Sequence, residues 1–104
     1  MSAAIQRFQA LIDQDPQNHL ARFSLGKAFF DAQQFSDAKA QFQAALVRKP
    51  DWMVAQILLG KCWLALGDKE QAISAFQRGL ELAIDQHHEG PQVEMENLLT
   101  ELRE

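Results

Sequence analysis

A single cysteine, Cys62, stands in this 104-residue chain, so no internal disulfide can form, and nothing else points to an oxidising compartment. No apolar run approaches the ~20 residues that cross a bilayer, because Gly60, Lys61 and Asp68 interrupt the most hydrophobic stretch. The segment from Met1 to Arg7 lacks the charged-then-apolar layout of a secretion signal. The expected location is the cytoplasm, with no membrane partner. A dense basic stripe is missing too, and the formal net charge is −4, so nucleic acid is not an expected partner. The charge is unevenly spread: residues 1–80 carry nine Lys/Arg and seven Asp/Glu, whereas 81–104 carry one Arg and seven acids. Negative charge therefore gathers at one end.

Reactive chemistry is equally thin. There is no Gly-rich phosphate loop and no nucleophile–base pair, so neither an enzyme nor a cofactor is expected. His87, His88 and Glu89 adjoin one another, but neighbouring histidines on a helix end diverge, and no further His or Cys is near in sequence; an exposed linker is expected there, not a metal site. Cys62 falls among helical apolar residues and reads as a packing residue. His19 is expected to be solvated at a helix start.

What is present is helical. Hydrophobic residues make up 47% and charged residues 23%, ordinary for a globular protein and against disorder. Apolar residues recur at three and four: Ile5, Phe8, Leu11, Ile12; Leu25, Phe29; Phe42, Ala45, Leu46; Leu59, Trp63; Phe76, Leu80, Ala83. No stretch alternates as a strand does. Turn signals at Asp15-Pro16, Gln33-Gln34-Phe35-Ser36, Lys49-Pro50-Asp51, Gly67-Asp68 and Glu89-Gly90-Pro91 divide the chain. Pro16 and Pro50 each stop the preceding helix. Asp51 is expected to cap a helix over about 52–66, and Asp68 with Gln71 resembles a capping box. At the place corresponding to Pro50 stands Ile84, so the next helix is expected to run on to about His87. Pro91 to Arg103 carries Met95, Leu98, Leu99 and Leu102 on one face and glutamates on another, an amphipathic end helix.

The pattern repeats after thirty-four positions. Leu25-Gly26 returns as Leu59-Gly60, Ala21 as Ala55, Lys27 as Lys61, Ala38 as Ala72, Phe42 as Phe76 and Leu46 as Leu80, with Phe29 opposite Trp63. Ala4, Phe8 and Pro16 precede Ala38, Phe42 and Pro50 by the same interval. A period of this length marks stacked supersecondary units, not a single catalytic pocket. The expected layout is one domain over 1–104: half a unit in 1–16, whole units in 19–52 and 53–86, and a capping helix over 91–104.

These residues resemble the tetratricopeptide repeat family: Leu25, Gly26, Phe29, Ala38, Phe42, Ala45 and Pro50 in one unit, and Leu59, Gly60, Trp63, Ala72, Phe76 and Gly79 in the next. The resemblance implies an all-α, right-handed superhelical stack of antiparallel helix pairs, about six helices in all. Glycine and alanine let paired helices approach, and the rings fill the space between them. Two departures stand out: Arg22 and Gln56 occupy places where the family favours a large apolar residue, and Ile84 replaces the closing proline.

The resemblance further implies a non-catalytic adaptor or scaffold for protein binding, with a concave groove lined by the first helix of each unit. Carried over, the groove residues are Leu20, Phe23, Ser24, Lys27, Phe30 and Asp31, then Val54, Ile57, Leu58, Lys61 and Leu64. An apolar peptide or helix bearing an acid fits them, with Lys27 and Lys61 supplying charge. The alternative occupants are the end helix or a second copy forming a homodimer. Chaperone-binding members grip a terminal carboxylate with Lys and Asn side chains; at those places stand Phe23, Lys27 and Leu58, so a chaperone C-terminus is not an expected ligand. Trp52, after the Pro50 turn, reads either as a wedge between units or as an exposed anchor.

Overall fold

The computed structural model describes residues 2–104 and contains six helices: α1 Ala3–Gln14, α2 His19–Asp31, α3 Phe35–Arg48, α4 Met53–Ala65, α5 Lys69–Asp85 and α6 Glu89–Leu102. No strand occurs among the described residues. The helices gather into two compact units, the first ending at Pro50 and the second beginning at Asp51.

Local chemistry sets the helix starts. Ser2, Asn18 and Asp68 each accept a hydrogen bond through the side chain from the amide three residues on, at Ile5, Ala21 and Gln71. Each satisfies one of the amides that the first helical turn leaves unpaired. Asp51 does not cap α4 as its position suggested. Trp52 is the N-cap residue, and its side chain does not cap the helix. The Asp51 carbonyl instead accepts from Gln86 Nε2 at 2.8 Å.

Three helix ends share one geometry. After α2, α4 and α5 the chain turns through Gln33 (φ 60°), Gly67 (φ 84°) and His87 (φ 59°). The amide one residue further on bonds back to Phe29, Trp63 or Ala83, so each end is a Schellman motif whose left-handed residue frees the last carbonyls from water. Pro16 and Pro50 stand just beyond the ends of α1 and α3, where Asp15 and Lys49 are the C-caps. With Ile84 in the proline place, α5 continues to Asp85 and not quite to His87. The end helix begins at Glu89, two residues before Pro91. That proline sits within the first turn, where the missing amide has no partner to lose. The cap residues of α2 and α4 are thirty-four apart, Asn18 and Trp52, whereas His88 follows Trp52 by thirty-six.

Unit 1 holds α1, α2 and α3. Ile5 and Ile12 of α1 bury against Ala21 and Leu25 of α2, with Phe8, Ala28 and Phe29 packed around them. On the other side of α2, the Phe42 ring of α3 is fully buried beneath Gly26; a Cβ added there would stand 2.8 Å from Phe42 Cε1. Arg22, one of the two departures from the repeat pattern, does the work of packing by hydrogen bonding. Its Nε and Nη2 donate to the Pro16 carbonyl and its Nη1 donates to Gln41 Oε1, at 3.1–3.2 Å.

Unit 2 holds α4, α5 and α6 and repeats the device. Phe76 lies beneath Gly60, where an added Cβ would stand 2.5 Å from Phe76 Cε1. Its core gathers Met53, Ile57, Ala72, Phe76, Leu82, Ala83, Met95 and Leu99, flanked by Trp63, Ile73, Leu80, Leu98 and Leu102. Met95 is fully buried, and the neighbouring space is opened by Gly79, whose Cβ position is 3.0 Å from Ile57 Cγ1 and 3.7 Å from Met95 Sδ. Cys62 is buried, as its helical neighbours suggested.

Candidate functional site

In unit 1 the α2 residues expected to face a ligand divide into two sets. Phe23, Lys27 and Asp31 recur on one side of the helix because they are spaced by four. With Ser24 and Ala28 they line a cleft of about 310 Å³ whose other wall is Ala4 and Phe8 of α1. Lys27 Nζ is 2.7 Å from Asp31 Oδ1, and both side chains are exposed at the rim. Surface ion pairs of this kind contribute little to stability, so Lys27 exchanges a weak partner at little cost. Phe23 is half-buried, its ring tilted against Phe42 at a centroid distance of 5.7 Å. Leu20 and Phe30 are not part of the cleft. Leu20 is 63% exposed, and Phe30 sets its edge against Phe35 at 5.4 Å.

In unit 2 the corresponding residues of α4 are differently placed. Val54 and Leu64 are exposed. Ile57 and Leu58, expected on the open face, are buried, Ile57 to 7%. The reason for Ile57 lies on the partner helices: Gly79 leaves room for its branched side chain, and Met95 of α6 closes over the same space. Lys61 Nζ lies 3.4 Å from Glu94 Oε2 of α6, so the end helix already supplies the acid that this lysine was expected to find in a ligand.

The sequence pattern missed the contribution of α1. Ala4 and Phe8 were visible only as the remnant of a repeat. Here they form a wall of the cleft, and the Arg7 guanidinium sits over the Phe8 ring at 5.2 Å. The signal was the thirty-four-residue offset itself, which equates Phe8 with Phe42 and Phe76. His19 begins α2 as expected and is partly exposed. Among the described residues no three His, Cys, Asp or Glu side chains gather in a way that could hold a metal ion, and no helix is long and apolar enough to cross a membrane.

Comparison with known proteins gives concordant results. The tetratricopeptide repeat profile matches residues 2–34 and 24–87. The Hsp70-Hsp90 organizing protein of Triticum aestivum is 33% identical over 87 residues, which is 84% of this chain but 15% of that protein. A solution structure of a Bordetella parapertussis protein is 33% identical with a TM-score of 0.83, covering 99% of this chain and 90% of that one. PcrH, solved in complex with the chaperone binding region of PopD, superposes with a TM-score of 0.88 at 22% identity, covering 95% of this chain and 75% of PcrH.

Proposed function

Because this chain belongs to the tetratricopeptide repeat family, we propose that it is a non-catalytic interaction module that binds a short apolar segment of another protein carrying an acidic residue. That PcrH, with the same fold, was solved holding a region of PopD supports the general role. The observation that carries the particular reading is the α1–α2 cleft, apolar on its walls through Ala4, Phe8, Phe23 and Ala28, with Lys27 at its rim. Apolar walls supply the buried contact, and the exposed ammonium selects the charge and fixes the register. Leu20 of the same unit is an exposed apolar side chain that adds contact area. Phe23 and Leu58 cannot act as the polar grips of a carboxylate clamp, so the ligand is an internal segment and not a chaperone C-terminus. We propose a cytoplasmic location from the sequence alone, since its start lacks the layout of a secretion signal.

The test is fluorescence anisotropy with labelled acidic-apolar peptides selected on the wild-type chain. Lys27→Glu raises the dissociation constant at least about tenfold, the scale of one well-placed contact, and leaves the melting temperature nearly unchanged. Lys61→Glu has a smaller effect, because Glu94 already engages that lysine. Equal affinities for wild type and Lys27→Glu rule the reading out. A dimer by light scattering at micromolar concentration that Lys27→Glu dissolves makes a second copy the occupant.

A further inference from the structure

We propose a second binding site in unit 1, a cleft that takes a small aliphatic dicarboxylate between Arg22 and Arg48. It shares no lining residue with the Lys27 cleft, and it does not rest on the peptide-binding reading above.

The cleft measures about 320 Å³ and is lined by Pro16 and Gln17 of the α1–α2 turn, Arg22 of α2, and Ala44, Val47 and Arg48 of α3. All of its walls therefore lie within residues 16–48. The three α3 residues share one face of their helix, because they are spaced by three and four. Val47 is 79% exposed and Ala44 half-buried, so an apolar strip leads along that face to Arg48. The lining thus combines two guanidinium groups with apolar surface and contains no acid.

The two arginines are prepared in different ways. Arg22 is held in place, since its Nε and Nη2 donate to the Pro16 carbonyl and its Nη1 donates to Gln41 Oε1. A guanidinium has five N–H groups, so one remains on each of Nη1 and Nη2, a pair that suits the two oxygens of a carboxylate. A side chain already fixed loses little freedom when a ligand arrives. Arg48 is exposed and, among the described residues, makes no ion pair or side-chain hydrogen bond. Asp15, beside the turn, accepts the Gln17 amide through Oδ1 and does not line the cleft.

Unit 2 shows the same repeat places in another state. Thirty-four positions on, Ala44, Val47 and Arg48 become Arg78, Glu81 and Leu82. Arg78 Nη1 lies 3.3 Å from Glu81 Oε1, and Leu82 is buried in the core. There the helix answers its arginine with an acid of its own. Unit 1 lacks both that acid and the long side chain at position 44, which leaves space and unanswered positive charge together. Two cations flanking an apolar strip are matched by two carboxylates joined through a short hydrocarbon chain. One carboxylate meets Arg22, the other meets Arg48, and the methylenes lie against Ala44 and Val47. A single oxyanion leaves one arginine and the strip unused.

The probe is glutarate, titrated into the full chain while NMR follows the arginine side-chain N–H signals and the amides of residues 44–48. The expected result is a saturable shift at Arg22, Arg48 and these amides. Arg48→Gln and Val47→Glu each weaken binding at least about tenfold, the scale of one charge-assisted contact; Val47→Glu installs the acid that Glu81 provides in unit 2. Both positions are exposed, so melting temperatures stay near wild type. Pentanoate, with the same chain and one carboxylate, binds at least about tenfold more weakly. Lys27→Glu leaves the glutarate affinity within about twofold, which separates this site from the peptide cleft. The absence of a saturable shift overturns the inference. So does sulfate or pentanoate matching glutarate, which reduces the site to a contact for any anion. A polyglutamate peptide that shifts the same signals when glutarate does not makes a protein segment the occupant, and the small-ligand assignment falls.

Discussion

The Phe42 ring occupies the space that a side chain on Gly26 would need: its Cε1 is 2.8 Å from the position of an added Cβ, and the ring is fully buried. Neither group has room to yield, because Phe42 is held on all sides. In unit 2 the same relationship is tighter, with 2.5 Å between the Gly60 Cβ position and Phe76 Cε1.

Alanine at these glycines is therefore destabilising even though alanine favours helix. Overpacking costs about 1–3 kcal/mol, against about 1 kcal/mol gained from helix propensity. Urea denaturation is expected to rank the variants, with Gly60→Ala the least stable and Gly26→Ala next. Gly79→Ala is the mildest of the three, since its added Cβ meets Ile57 Cγ1 at 3.0 Å and Met95 Sδ only at an ordinary 3.7 Å. A Gly60→Ala chain as stable as wild type contradicts the packing described.

Gln33 and Gly67 hold the same place in successive Schellman turns, at φ 60° and 84°. A residue with a Cβ is strained there by about 1 kcal/mol, and nothing lies near the Gly67 Cβ position to complicate the comparison. Gln33→Gly is expected to raise stability by up to about 1 kcal/mol, and Gly67→Gln to lower it by a similar amount. Thermal melts of both variants decide it; a destabilised Gln33→Gly chain would show that the glutamine side chain contributes something beyond its backbone.

Arg22 joins the Pro16 turn to Gln41 of α3 through three donated bonds. Arg22→Ala is expected to cost about 1–2 kcal/mol, reduced from the buried-group value by its partial exposure. Arg22→Lys recovers little of that, because one ammonium cannot reproduce the planar fork that meets both acceptors. Full recovery by lysine would mean that charge alone, and not geometry, holds the turn.

The legible part of this molecule was the part written by close packing. Phenylalanine beneath glycine, repeated at thirty-four, located helices and cores because those residue types have few other reasons to recur together. The end of α5 was foreseen within two residues from the absence of proline at Ile84. What escaped were features decided by the neighbouring helix. Ile57 belongs to an apolar face in sequence, and only Gly79 and Met95 make it a core residue. Lys61 looked available until α6, shifted by two residues, brought Glu94 to it. Asp51 had the chemistry of a cap but not the place, since α4 begins one residue later than that role requires. The cleft on α1 was hidden for a different reason: periodicity reports what a residue resembles, not which side chains of the next helix it meets.

Cys62 is wholly enclosed in unit 2. A thiol so enclosed reacts with a water-soluble reagent only when the surrounding helices separate, so its labelling rate under native conditions becomes a clock for that excursion. One sulfur atom, with no competing thiol in the chain, thereby converts local breathing into a chemical signal readable by mass.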